Sequence, residues 1–124
     1  MARHLESGRA AERLARTRLE RHGLTFVAAN YRCRAGEIDL VMLDAGVLVI
    51  VEVRYRRDTA ILHPTLTLSR AKLQRIVRAT EHFVQRHQHW RNACVRFDIV
   101  GLHGALSGAD MNWIRGAFTI DDVT

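Results

Sequence analysis

Apolar residues recur along this chain in two rhythms, one at helical spacing and one nearly uninterrupted. Around residues 8–22 the stripe Ala11, Leu14, Ala15 and Leu19 follows the 3.6-residue period of a helix. Ser7 is its expected N-cap and Gly23 its stop. At about 100° per residue, Glu12 falls about 20° from Leu19, so a carboxylate borders the buried face while Arg9, Arg13 and Arg16 point more outward. Three strand-like runs follow, over residues 24–33, 37–43 and 47–55. The first ends in a turn at Ala35-Gly36, and Asp44-Ala45-Gly46 supplies the hairpin between the other two. The third run is apolar at nearly every position, as expected of a central strand covered on both faces. A loop over residues 56–66 holds Asp58, Thr59, His63 and the single proline, Pro64.

Ser69 or Thr67 then caps a second helix predicted to end near His89. Its stripe reads Leu73, Ile76, Val77, Thr80, Phe83, Val84 and His87. Lys72 lies about 80° from the stripe centre, on its border. A fourth strand is expected over residues 93–102, and residues 111–118 add a short edge strand or turn. The order α-β-β-β-α-β predicts an α/β fold with a mixed sheet flanked by helices, in one domain over residues 1–124.

The hairpin carries the candidate chemistry. A loop centred on Ala45-Gly46 pairs residues whose numbers sum to 91, setting Asp39 across from Glu52 (39 + 52) and Glu37 across from Arg54 (37 + 54). Directly opposed residues have Cβ atoms roughly 4.5–5.5 Å apart, and two like charges there repel. A bound Mg2+ or Mn2+ would compensate, because hard cations take clustered carboxylates. Neighbouring arginines, a solvated sheet edge or a bulged register are the other ways to relieve the pair. Glu37 and Arg54 read as a cross-strand ion pair.

Composition narrows the partner. The formal charge is +6, which favours a polyanion such as nucleic acid. Of 19 basic residues only Lys72 is lysine, a compact ammonium among arginines. The longest apolar stretch, residues 47–51, is too short to cross a bilayer, and the start has no leader-like apolar run, so a cytoplasmic location without membrane contact is expected. Cys33 and Cys94 are isolated and read as small core residues. His82, His87 and His89 face different sides of a helix end, which argues against zinc. Asp98 is expected to face solvent or to pair with Arg96, and Trp90 and Trp113 to pack in the core or at an edge rather than stack on bases.

Gly36-Glu37-Ile38-Asp39-Leu40-Val41 followed by Val49-Ile50-Val51-Glu52-Val53-Arg54 resembles the PD-(D/E)XK nuclease superfamily. More narrowly, the chain resembles the YraN-like family, which is similar to archaeal Holliday-junction resolvases. The likeness extends to residues 8–14, 51–57, 70–72 and 96–100. It implies a restriction-endonuclease-like core in which Glu12, Asp39 and Glu52 hold Mg2+ or Mn2+. The metal would activate water against a phosphodiester, with Asp39, Glu52, Arg54 and Lys72 as the catalytic set. Arg9, Arg56, Arg57, Arg70 and Lys72, within the matching segments, are the expected nucleic-acid contacts. Resolvases act as symmetric pairs, so a homodimer is the analogous expectation. Arg54 stands where such enzymes carry lysine, and arginine cannot exchange a proton there. Lys72 could supply the missing ammonium from the second helix.

The leading expectation is a metal-dependent endonuclease acting on DNA, branched DNA included. The alternative is a non-catalytic nucleic-acid-binding module with a degenerate site, and a third reading is a protein-interaction domain with incidental charge.

Overall fold

The computed structural model describes residues 2–58 and 68–123, with backbone alone for residues 2–7. Helix α1 spans Ala2–Arg21, followed by β1 Thr25–Cys33, β2 Gly36–Asp44 and β3 Val47–Arg56. Helix α2 covers Arg70–Arg86, and β4 Cys94–His103 and β5 Asp110–Phe118 follow it. The expected order is present, with β5 a nine-residue strand rather than a short one. Thr59, His63, Pro64 and Thr67 lie outside the described residues.

Two helix boundaries differ from expectation. Ser7 is not an N-cap, because α1 already begins at Ala2. Nothing in Ala-Arg-His-Leu-Glu opposes a helix, so the turn runs on through Ser7. The C-terminal stop is as expected: Gly23 takes φ +95° and the Leu24 N–H returns to Leu19 O at 3.1 Å. Helix α2 ends at Arg86 rather than near His89, and residues 88–90 form a separate 3-10 turn. Its cap is Ser69, whose hydroxyl accepts the Lys72 N–H at 3.1 Å.

The strands form one sheet in the order β1-β2-β3-β4-β5. All neighbours are antiparallel except β3 and β4, which are parallel and so need a crossover, supplied by α2. The β2–β3 turn has Ala45 at φ 49° and Gly46 at φ 87°, the left-handed pair a two-residue hairpin favours. It fixes the register from Asp44↔Val47 to Leu40↔Val51, the predicted sum of 91.

Strand β3 lies in the middle and feeds both cores. Leu48 and Ile50 pack toward α2 with Ile76, Val77 and Phe83, while Val49 and Val51 pack toward α1 with Ala11, Ala15 and Leu19. That double covering explains its unbroken apolar run, each large buried side chain contributing roughly 1.5–3 kcal/mol. Gly36 lets α2 lie close on the β1–β2 turn, since a Cβ there would meet Arg75 O at 2.8 Å. The next α2-facing residue of β3 is Glu52, buried behind this apolar layer.

Candidate metal centre at the sheet fork

The β2–β3 ladder stops at Leu40↔Val51. One residue further, Asp39 Oδ2 accepts the Val53 N–H at 2.8 Å. A carboxylate thus takes the donor that a backbone carbonyl would otherwise satisfy, and the two strands part. On the other side of β2, Ala29↔Leu40 and Tyr31↔Ile38 pair, but Asn30 and Asp39 between them do not. Asn30 sits at φ 53°, a left-handed conformation that asparagine tolerates better than most residues.

These irregularities bring acids from separate elements together. The Glu12 carboxyl is pushed up to about 7, by burial first and then by the charge of Asp39, against a hydrogen bond from Asn30 that favours the ionised form. Glu52, only 7% exposed, is pushed up to about 9. Burial is again the main cause, followed by a hydrogen bond with Asp39 and the Asp39 charge, opposed by Lys72 and Arg54. Lys72 Nζ lies 3.5 Å from Glu52 Oε2, an ion contact too long to be a good hydrogen bond. The ion pair and the raised pKa pull in opposite directions, and burial together with Asp39 outweighs the ammonium. Glu12 Oε2 and Glu52 Oε2 are both buried without a hydrogen-bond partner.

The donor set suits a hard divalent cation, being all carboxylate oxygen with two orphaned acceptors. No arginine pairs with Glu12, Asp39 or Glu52 within ion-pair distance among the described residues. Closure is what the arrangement lacks. Among the described residues no three acidic, His or Cys side chains already form an ion cage. Glu12 and Glu52 are instead two partners of a shared Asp39. Glu12, Asp39 and Glu52 fit a cation in kind, and side-chain movement would have to complete the shell.

The other expected residues divide around this fork. Arg54 is half-buried and acts on Glu52 through its charge. Glu37 does not pair with Arg54: with the β2–β3 ladder ended, its Oε2 lies 3.2 Å from Arg32 Nε, its neighbour across β1. Lys72 lines a cavity of about 290 Å³ with Arg32, Glu37 and Arg75. Arg9 and Glu12 line a second, of about 210 Å³. Arg56 and Arg57 are exposed where β3 ends, and Arg70 is exposed at the start of α2.

Several residues belong to the scaffold. Asp98 is fully buried rather than solvent-facing, and it does pair with Arg96, at 2.9 Å. Trp113 Nε1 also donates to Asp98, at 3.0 Å, and Trp90 packs against the α2-side core. His82 bonds the Tyr31 hydroxyl and His87 Nδ1 lies 2.8 Å from Phe83 O, so these rings are spoken for locally. Cys33 is half-buried against the core, whereas Cys94 is exposed at the start of β4, contrary to expectation. Asn30 was missed by sequence reasoning. The only signal was a poor strand former, tolerant of left-handed backbone, inside an otherwise strand-like run.

The fold and fork together define a nuclease-like α/β core with an acidic cluster where two central strands separate. The chain belongs to the uncharacterised protein family UPF0102, the YraN family, whose model matches residues 11–102. That span includes Glu12, Asp39, Glu52 and Lys72. The chain is 42% identical over 118 residues to a UPF0102 protein of Stutzerimonas stutzeri (strain A1501), covering 95% of this chain and 98% of that one. It is 41% identical over 122 residues to a UPF0102 protein of Saccharophagus degradans, covering 98% and 100%. A UPF0102 protein of Coxiella burnetii (strain RSA 493 / Nine Mile phase I) is 37% identical over 111 residues, 90% of each chain. No helix among the described residues is long and apolar enough to cross a membrane.

Proposed function

We propose that this protein is a metal-dependent nuclease that hydrolyses a phosphodiester in DNA at the fork between β2 and β3. The observation that carries the reading is the pair of buried carboxylate oxygens, Glu12 Oε2 and Glu52 Oε2, left without hydrogen bonds on either side of Asp39. Buried polar groups are normally satisfied, and a protein that keeps two acids unsatisfied and hard to ionise holds them for a ligand. Glu12, Asp39 and Glu52 would hold Mg2+ or Mn2+. When bound, such an ion supplies Lewis acidity toward a phosphoryl oxygen and an activated water.

The chain's own groups do the rest. Asp39, anchored by the Val53 N–H, gives the cluster a fixed point on rigid backbone. Lys72, already 3.5 Å from Glu52, would turn its ammonium toward the phosphate once Glu52 is engaged elsewhere. This single lysine takes the role that Arg54 cannot fill by proton exchange, while Arg54 adds fixed positive charge. The +6 net charge favours the polyanionic substrate.

Two measurements test the reading on the whole protein. Calorimetry should show Mn2+ uptake that is lost in Glu52→Gln and Asp39→Asn. Labelled duplex, single-stranded and four-way-junction DNA should be cut with Mn2+ or Mg2+ by the wild type alone. Mn2+ uptake without cleavage of any substrate would leave a binding module. No uptake at all would end the metal reading.

A further inference from the structure

Arg9, Arg13 and Arg16 fall at i, i+4 and i+7 along α1, within about 60° of one another on one helix face. They line the cavity of about 210 Å³ between α1 and β1, together with Phe26, Asn30 and Glu12. The three guanidinium groups are not equally engaged. Arg16 lies 3.5 Å from Glu20 and caps the Phe26 ring at 3.6 Å, so it is part of the wall. Arg9 acts on Glu12 through its charge. The Arg13 side chain has no ion pair or hydrogen bond among the described residues.

We propose that this cavity is a backbone-phosphate subsite, in which Arg13 and Arg9 grip the nucleic-acid strand one step along from the phosphate at the acidic fork. The inference rests on the proposed nuclease reading for the identity of the strand, and on the cavity itself for the subsite. With Arg16 paired to Glu20, Arg9 and Arg13 against Glu12 still leave the cavity positive, and free guanidinium forks match phosphate oxygens bidentately. The volume is below that of ordinary small-molecule pockets, which suits a phosphate and part of its sugar rather than a whole stacked nucleotide. Glu12 belongs both to this cavity and to the acidic cluster, so the two sites share a wall.

The test uses the full chain, a fluorescent DNA duplex and anisotropy without divalent ions, from about 50 to about 200 mM salt. Arg13→Ala should weaken binding roughly tenfold and make the salt slope shallower by about one. Arg13→Lys should restore the slope but only part of the affinity, because the fork is lost. Arg115→Ala, on β5 beside Trp113, is the control and should leave both unchanged.

An Arg13→Ala protein that behaves like Arg115→Ala overturns the subsite. So does equal competition by a poly-glutamate peptide, which would reveal a site for acidic protein. Absence of DNA binding at the lowest salt also overturns it. Mn2+ calorimetry separates the two claims. A wild type that takes up no Mn2+ but loses affinity on Arg13→Ala keeps the subsite and loses the nuclease, and the reverse result does the opposite.

Discussion

Asp98 and Glu52 are both buried acids on neighbouring parallel strands, one register step apart, since Val51 pairs with Asp98 and Glu52 with Ile99. They lie on opposite faces of the sheet and are treated in opposite ways. Each oxygen of Asp98 takes two donors. Oδ1 accepts Arg96 Nε and the Gly116 N–H, both at 2.9 Å, and Oδ2 accepts Arg96 Nη2 and Trp113 Nε1, both at 3.0 Å. Arg96 reaches on to Asp44 at 3.0 Å, so the network ties β4, β5 and the β2–β3 turn together. Glu52 has one long ion contact, an acidic neighbour and an oxygen with no hydrogen bond. Burial alone therefore does not mark a functional acid. What separates the two is whether the protein supplies the donors itself, and the acid it leaves short is the one proposed above to hold a cation.

The sharpest way to break this contrast is to remove each charge and keep the shape. Glu52→Gln should abolish metal-dependent cleavage, a fall of about a thousandfold or more, worth roughly 4 kcal/mol of barrier. Its thermal midpoint should not drop. A Gln variant that keeps a tenth of the activity would make Glu52 as structural as Asp98. Asp98→Asn should do the converse, with a stability loss of about 3 kcal/mol and a melting point lower by about ten degrees. The loss is held to that because Arg96 retains Asp44. Cleavage by the fraction that remains folded should be normal, and a stable but inactive Asp98→Asn protein would move Asp98 into the site.

A pH series sharpens the comparison at a smaller scale. Glu52 titrates near 9 when folded and near 4.5 otherwise, so between these values the native state binds a proton that the unfolded chain does not. Stability without metal must then fall as pH rises through this window, with the contribution present in full below about 4.5 and gone above about 9. Glu12, raised to about 7, acts in the same direction up to that pH. Urea denaturation in EDTA should show a loss of about 1–3 kcal/mol attributable to Glu52 between pH 6 and 9. Glu52→Gln should flatten most of that slope, and added Mn2+ should oppose the decline. An equal slope in wild type and Glu52→Gln would show that Glu52 is ionised and satisfied throughout.

The sheet was legible because its causes are local. Alternating and unbroken apolar runs set the strands, and Ala45-Gly46 set the register from Asp44↔Val47 to Leu40↔Val51, one step short of the expected pairing of Asp39 with Glu52. Strand departures were not legible. That Asp39 would leave the ladder to take the Val53 N–H depends on competition between a side chain and a backbone carbonyl, which no spacing reveals. The Glu37–Arg54 pair failed for the same reason, because it assumed a ladder that ends at Leu40. For Asp98 the pairing with Arg96 was legible and the burial was not, because alternation with Phe97 and Ile99 is silent about the Trp113 ring N–H and Gly116 N–H that neighbouring β5 brings to the carboxylate. Lys72 could be placed only on a helix border by its period. Its reach to Glu52 depends on how closely α2 settles at Gly36.

The smallest expected effect falls at Asn30, where backbone and side-chain roles can be separated. Its φ of 53° imposes a strain of order 1 kcal/mol on most residues but none on glycine, and its amide bonds Glu12. Asn30→Gly keeps the backbone and removes the amide, whereas Asn30→Ala removes the amide and adds the strain. Urea denaturation should therefore place Ala about 1 kcal/mol below Gly in stability. Mn2+ affinity should fall equally in both, by a few-fold, because each leaves Glu12 without the group that steadies its ionised form. If affinity instead follows stability, lower in Ala than in Gly, then β1 geometry and not the amide serves the fork. Glu12 would then need no support from within the protein, which is the condition that already distinguishes Glu52 from Asp98.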